Sequence, residues 1–170
     1  WAAGSPPGSS RSPTSPRLDA LAFDGDLVIA GMKGWKTEAI FARRDRSPRR
    51  DRIRFLEYVP EPDLVPLYSG AELFVLPSRY EGFGFPPLEA MQCGTPVISA
   101  ATGSLPEVLG DAAVMIDGFD TAAWKHRIEQ TLTDAAQRRD LAARGLARAA
   151  MFTWERTAGL TWDVYRSLAR

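Results

Sequence analysis

The sequence predicts an α/β fold: a doubly wound parallel sheet with helices appended at its C-terminal end. Three observations carry this reading. From Asp26 onward, short apolar runs alternate with short amphipathic stretches, the signature of β-α units and a parallel sheet. After Asp120 the pattern becomes wholly helical. The chain's 170 residues, 45% apolar, 25% charged and 10% aromatic, make one ordinary domain with a core and exclude a disordered or collagenous composition.

In chain order, residues 1–16 hold eleven Gly, Pro or Ser and no apolar periodicity, which predicts an irregular or disordered start. The domain boundary is placed at residue 20, with 1–20 outside the domain and 21–170 forming it, and the fold is expected to be independent of 1–16. Buried strands are expected at 27–30, ending at Gly31, at 53–56, at 73–76, stopped by Pro77, and at 96–99 and 113–116. Helices are expected at 35–45, 62–70, 86–93 and 105–109, and then at 121–133, 135–151 and 153–168, the last with Thr153 as its N-cap. In such sheets ligands bind outside the carboxyl ends of the strands. The loops that matter are therefore 31–34, 57–62, 77–85 and 100–104.

Charge and cysteine content narrow the function classes. Formal net charge is zero, yet the balance is +5 over 1–56, −9 over 57–120 and +4 over 121–170. The densest basic run, Arg43 to Arg54, is broken by Ser47-Pro48 and interleaved with Asp45 and Asp51. It reads as the solvated C-terminal end of a helix plus a turn rather than a nucleic-acid surface. The one cysteine, Cys93, forbids an intrachain disulfide and a thiolate zinc site, which fits a reducing cytoplasm. No stretch approaches the roughly 18 apolar residues of a membrane span, and no signal-peptide pattern opens the chain. The first residue is Trp1 rather than Met, from which a fragment is expected.

The most informative segment is Pro77-Ser78-Arg79-Tyr80-Glu81-Gly82-Phe83-Gly84-Phe85-Pro86-Pro87-Leu88-Glu89. Gly82 and Gly84 permit close backbone approach to a ligand, while Pro86 and Pro87 suit the first turn of a helix. A helix N-terminus at the ligand edge, with its free N–H groups and positive dipole end, favours a phosphate or diphosphate. Glu81 and Glu89 flank it, and carboxylates accept paired hydrogen bonds from vicinal diols such as a ribose. The competing reading, in which Glu89 only complements the helix dipole and Glu81 is solvated, stays open on spacing alone.

The same run, continued by Cys93-Gly94-Thr95-Pro96-Val97-Ile98 and Gly103-Ser104-Leu105-Pro106-Glu107-Val108, closely resembles the donor-binding C-terminal domain of retaining GT-B glycosyltransferases of family 4, the glycosyl transferases group 1. Supporting matches are Phe55-Leu56-Glu57-Tyr58-Val59-Pro60 and Phe152-Thr153-Trp154-Glu155, and the resemblance spans 26–170. It implies a Rossmann-like domain, one half of a GT-B fold, that binds a nucleoside diphosphate sugar and serves transfer of a hexose such as mannose with retention. Glu89 would bind the ribose hydroxyls and Glu81 would lie by the transferred sugar. Backbone around Gly82, Phe83, Gly84 and Phe85 would face the sugar and diphosphate, with Tyr58 and Val59 near the base. The resemblance implies no metal and no resident cofactor. It further implies a carbohydrate or lipid-linked acceptor, and a cytoplasmic enzyme, peripheral to the inner membrane surface in its full-length form.

Two departures accompany the match. GT-B enzymes carry a second Rossmann-like domain that binds the acceptor, and this chain has length for only one, so a missing N-terminal acceptor domain is expected. The Arg-Lys loop that clamps the diphosphate in the family has no counterpart in 1–16, as in a truncated or misread frame. Lys33 is not assigned that role. The alternatives to an enzyme fragment are a non-catalytic nucleotide-binding or partner-binding module and, least favoured, a nucleic-acid binder. His126 and Cys93 read as packing residues, Trp154, Trp162 and Tyr165 as core or domain-interface anchors, and Arg79 and Tyr80 as borders of the cleft.

Overall fold

A computed structural model describes residues 2–4, 24–34 and 37–169. Its sheet holds six strands among the described residues: β1 (Ala2–Gly4), β2 (Asp26–Ala30), β3 (Ile53–Leu56), β4 (Leu73–Leu76), β5 (Val97–Ala100) and β6 (Val114–Ile116), in the order β3-β2-β1-β4-β5-β6. Strands β2 to β6 all run one way, in registers such as Ile29 opposite Phe55 and Ser99 opposite Met115. β1 is antiparallel and lies between the two halves, with Ala2 opposite both Val28 and Phe74.

That central strand corrects the expectation for the first residues. Composition predicted an irregular segment, but Ala2–Gly4 is extended and paired on both sides. A composition argument counts apolar area and omits the backbone. Strands β2 and β4 each present a row of donors and acceptors, and a short extended chain pairs with part of each row. The remainder of 1–20 lies outside the described residues, as do Trp35 and Lys36 of the expected first helix.

The helices are α1 (Glu38–Asp45), α2 (Glu61–Ser69), α3 (Phe85–Gln92), α4 (Leu105–Leu109), α5 (Thr121–Thr133), α6 (Ala135–Ala149) and α7 (Trp154–Leu168). Three begin with side-chain caps that accept a backbone N–H: Asp120 from Ala123 at 2.8 Å, Asp134 from Gln137 at 2.9 Å and Thr153 from Arg156 at 3.1 Å.

Period-2 alternation sends β4 and β5 into two cores. On one face Phe74 and Val97 pack with Leu88 and Met91 of α3, Leu105 and Leu109 of α4 and Ala149 of α6. On the other, Leu73 and Ile98 meet Ile116 and Trp124 of α5. Gly145 lets α6 approach α3, since a Cβ there would stand 3.1 Å from Met91 Cγ.

The other half of the sheet differs. Strands β2 and β3 were expected to be buried, yet β2 is half-buried with Ala30 exposed, β3 alternates half-buried with exposed, and α1 buries no residue. A cleft of about 910 Å³ runs over Leu27, Ile29, Ile53 and Phe55. Burial needs a covering layer on each face, and α1 alone supplies little here. The core reading of the C-terminal aromatics is also corrected: Trp154 is 78% exposed, and Trp162 and Tyr165 are 61% exposed. The basic run behaves as expected of a helix end and turn. Arg46 Nε donates to the Ala42 carbonyl at 3.1 Å, Arg44 pairs with Asp45, and Arg52 and Arg54 pair with Asp26.

Candidate functional site

The five co-directed strands end at one edge, and the loop from β4 to α3 crosses it. Gly84 is the N-cap of α3 at φ +110°, a left-handed conformation, and a Cβ there would stand 2.8 Å from Leu105 Cδ2. Only glycine fits both demands. Helix α3 then opens Phe85-Pro86-Pro87, so of its first three positions Phe85 alone carries an N–H. The expectation of several free donors at this N-terminus is narrowed accordingly. The dipole end remains, with donors from the loop backbone and Phe85.

The loop from β5 to α4 holds this turn in place. Thr102 Oγ1 donates to the Ser78 carbonyl at 2.8 Å. Ser104 Oγ lies 3.0 Å from the Glu81 carbonyl and 2.7 Å from that of Phe83, sharing one proton between them. Between these two residues Gly103 sits at φ +55°, and a Cβ there would come within 2.7 Å of the Glu81 carbonyl oxygen. The backbone of Glu81 to Phe83 is thus fixed from behind. Its aromatic flank is also packed, with Phe83 4.8 Å from Phe85 and edge-on to Phe152 at 5.9 Å. Beside Gly82 and Phe83 opens a cleft of about 460 Å³ that reaches Ser104, Arg148 and Arg156. Arg148 Nε donates to the Val108 carbonyl at 2.9 Å, which caps α4 and steadies that wall.

Both carboxylates are half-buried. Glu81 precedes the turn, and Glu89 lies about one helical turn into α3. The Tyr68 hydroxyl, from α2, donates to Glu89 Oε2 at 3.0 Å. Burial first, and the Glu89 carboxylate second, push the Tyr68 hydroxyl above its ordinary value of 10.0, so at neutral pH it is a protonated donor.

The structure brings together Glu81, Gly82, Phe83, Gly84, Phe85 and Glu89 on one loop and helix. Tyr58, 75% exposed, and half-buried Val59 stand in the loop after β3 at the same edge. Among the described residues no hydrogen bond or ring contact joins them to the β4–α3 turn. Arg79 is drawn aside, its guanidinium 4.7 Å above the Phe119 ring, and Lys33 lies over Phe41. His126 is exposed on α5, and Cys93 is half-buried against the core. Among the described residues no group of three or more His, Cys, Asp or Glu is arranged to hold a metal ion. Sequence reasoning missed Tyr68, and placed Gly103 and Ser104 only in a loop at the ligand edge without their contacts to the Glu81 and Phe83 carbonyls. The available signal for Tyr68 was chemical, because a tyrosine buried on a short helix needs a partner for its hydroxyl.

Known proteins resemble this chain in sequence and in fold. The family described as "Glycosyl transferases group 1" matches residues 21–148. The chain is 44% identical to an Escherichia coli O-antigen chain mannosyltransferase B over 142 residues, which are 84% of this chain and 37% of that one. Among solved structures it resembles a sucrose-phosphate synthase from Thermosynechococcus elongatus, with TM-score 0.76 and 30% identity, covering 89% of this chain and 40% of the synthase. It also shares the fold of Anabaena Alr3699/HepE, solved with UDP-glucose, at TM-score 0.65 and 21% identity, covering 74% of this chain and 36% of that one. The chain therefore spans well under half the length of these relatives. The family match, the mannosyltransferase relative and the likeness to the synthase agree, and the chain belongs to the glycosyl transferases group 1 family, as a C-terminal domain of the GT-B fold.

Proposed function

We propose that this chain is the donor-binding domain of a retaining hexosyltransferase and takes a nucleoside diphosphate sugar at the carboxyl edge of its sheet. The observation that carries the reading is the β4–α3 turn, where a buttressed backbone at a helix N-terminus lies between two half-buried carboxylates. In this reading Glu89 accepts from the ribose hydroxyls and Glu81 lies beside the transferred sugar. The N–H groups of Phe83, Gly84 and Phe85 receive the sugar and diphosphate, and Tyr58 and Val59 border the base. Support for the donor class comes from the UDP-glucose held by the Anabaena neighbour, and for mannose from the mannosyltransferase relative.

The chemistry asked of such a site is leaving-group stabilisation and orientation. As the sugar C1–O bond to the diphosphate breaks, negative charge grows on the departing oxygen, and the helix dipole and loop donors stabilise it. That oxygen takes the proton of the incoming acceptor hydroxyl on the same face of the sugar, which retains configuration. No resident metal or cofactor enters this proposal. The acceptor, a carbohydrate or lipid-linked glycan at the cytoplasmic membrane surface, is assigned to the part of the relatives that this chain does not span. Among the described residues no helix is long and apolar enough to cross a membrane.

Calorimetry with GDP, UDP, ADP and GDP-mannose tests the reading. One nucleotide should bind, and Glu89→Ala should weaken it by about 1–3 kcal/mol, the worth of a charged acceptor. The chain alone should transfer no sugar from a radiolabelled donor, because the second reactant is not oriented. Unchanged affinity in Glu89→Ala, or transfer by this chain alone, would overturn the proposal.

A further inference from the structure

The side chain that contacts Glu89, Tyr68, is held at its ring, its backbone and its hydroxyl. Tyr68 is 8% exposed, and its ring stands edge-on to Phe74 at 5.7 Å. Its carbonyl accepts from the buried Thr95 hydroxyl at 2.6 Å and from the Ala71 N–H at 3.0 Å. Thr95 is itself tied to α3, its N–H donating to the Ala90 carbonyl at 2.9 Å. Ring, backbone and hydroxyl of Tyr68 are therefore all anchored, and the hydroxyl meets Glu89 Oε2 at 3.0 Å. Glu89 Oε1 takes no hydrogen bond from any described residue.

The chemistry of a carboxylate explains what this arrangement does. A free glutamate rotates its head group through a broad torsional range, and ordering it on ligand binding costs entropy. A phenol that engages one oxygen removes that freedom in advance and leaves the other oxygen as the acceptor. A tyrosine hydroxyl has a single proton to give, so Tyr68 cannot itself donate to a ligand while it holds Glu89.

We propose that Tyr68 is a positioning residue that makes the site selective for ribose: by holding Glu89 Oε2 it presents Oε1 to the vicinal diol of the nucleotide. This rests on the reading in which Glu89 receives the ribose. Selectivity for a diol is then a property of the pair of side chains. Thr95 contributes to it at one remove, by anchoring the end of α2 against the turn that closes α3.

The test uses the full chain and the diphosphate of guanosine, uridine or adenosine that binds it, together with its 2′,3′-dideoxy counterpart. The readout is the ratio of the two dissociation constants, with thermal midpoints recorded in parallel. Glu89→Gln should bring the ratio close to one. Tyr68→Phe should lower the ratio by ~2–10-fold, the worth of one hydrogen bond, while affinity for the dideoxy nucleotide stays unchanged. Thr95→Val should lower the ratio in the same direction and serves where Tyr68→Phe does not fold.

A ratio unchanged in Glu89→Gln would show that the ribose does not meet Glu89, and the site reading itself would fail. A collapsed ratio in Glu89→Gln with an unchanged ratio in Tyr68→Phe or Thr95→Val would leave the site standing and overturn the role of Tyr68. Equal losses for both nucleotides in Tyr68→Phe would reduce Tyr68 to a structural role and overturn it as well.

Discussion

The two halves of the sheet use similar apolar runs and reach different ends. In β4, β5 and β6, Leu73, Val97, Ile98 and Ile116 are buried between α3, α4 and α6 on one face and α5 on the other. In β2 and β3, Leu27, Ile29, Ile53 and Phe55 line an open cleft, and charge pairs of Arg52 and Arg54 with Asp26 run along the strand ends. Partly exposed ion pairs of this kind contribute about 0–1 kcal/mol each, whereas a fully buried aliphatic side chain contributes about 1.5–3 kcal/mol. The lesson is one of division of labour. The well-packed half carries the β4–α3 turn and Glu89, and rigid support is what a preorganised site requires.

The largest effect should come from breaking the joint between the halves. β1 supplies the backbone pairing for both β2 and β4, so deleting residues 1–4 should strip hydrogen-exchange protection from β2 and β3, while β5 and the β4 amides on its side, such as Phe74 N–H bonded to the Pro96 carbonyl, keep theirs. Protection lost equally from β5 would show that the two halves unfold as one, and protection kept everywhere would show that β1 contributes nothing.

A point substitution in each half sharpens the contrast. Ile98→Ala, at a position with no exposure, should cost about 2–5 kcal/mol in denaturant unfolding. Ile29→Ala, half-buried on β2, should cost about 1 kcal/mol, because less apolar area returns to water. Similar losses at both positions would erase the distinction.

A smaller effect separates two glycines of the site. Gly103→Ala combines a positive φ with a close approach to the Glu81 carbonyl and should cost about 1–3 kcal/mol, read as a lower thermal midpoint and weaker nucleotide binding. At Gly82 an added Cβ meets nothing within 4 Å, so Gly82→Ala should fold as before. Equal destabilisation by both would show that the loop is not buttressed by its neighbour.

How legible the molecule was in its sequence varies with the scale of the question. Strands β2 to β6 and the seven helices begin and end within a few residues of the apolar and capping signals, because those signals act locally. Asp120, Asp134 and Thr153 cap their helices through contacts three residues away. The Glu81 to Glu89 turn was visible for the same reason, since glycines and prolines state their backbone demands directly.

Local signals were enough for the class of the fold, for the loop that carries the carboxylates and for the glycines that shape it. Packing settled the rest: which apolar strands are buried, the central place of Ala2–Gly4, and the contacts of Tyr68 with Glu89 and of Ser104 with the Glu81 carbonyl. What separates the two is distance along the chain. Tyr68 and Glu89 are 21 residues apart, and Ser104 and Glu81 are 23 apart. Contacts of that span depend on how helices and loops are layered on the sheet, and burial depends on what covers a strand more than on the strand's own residues.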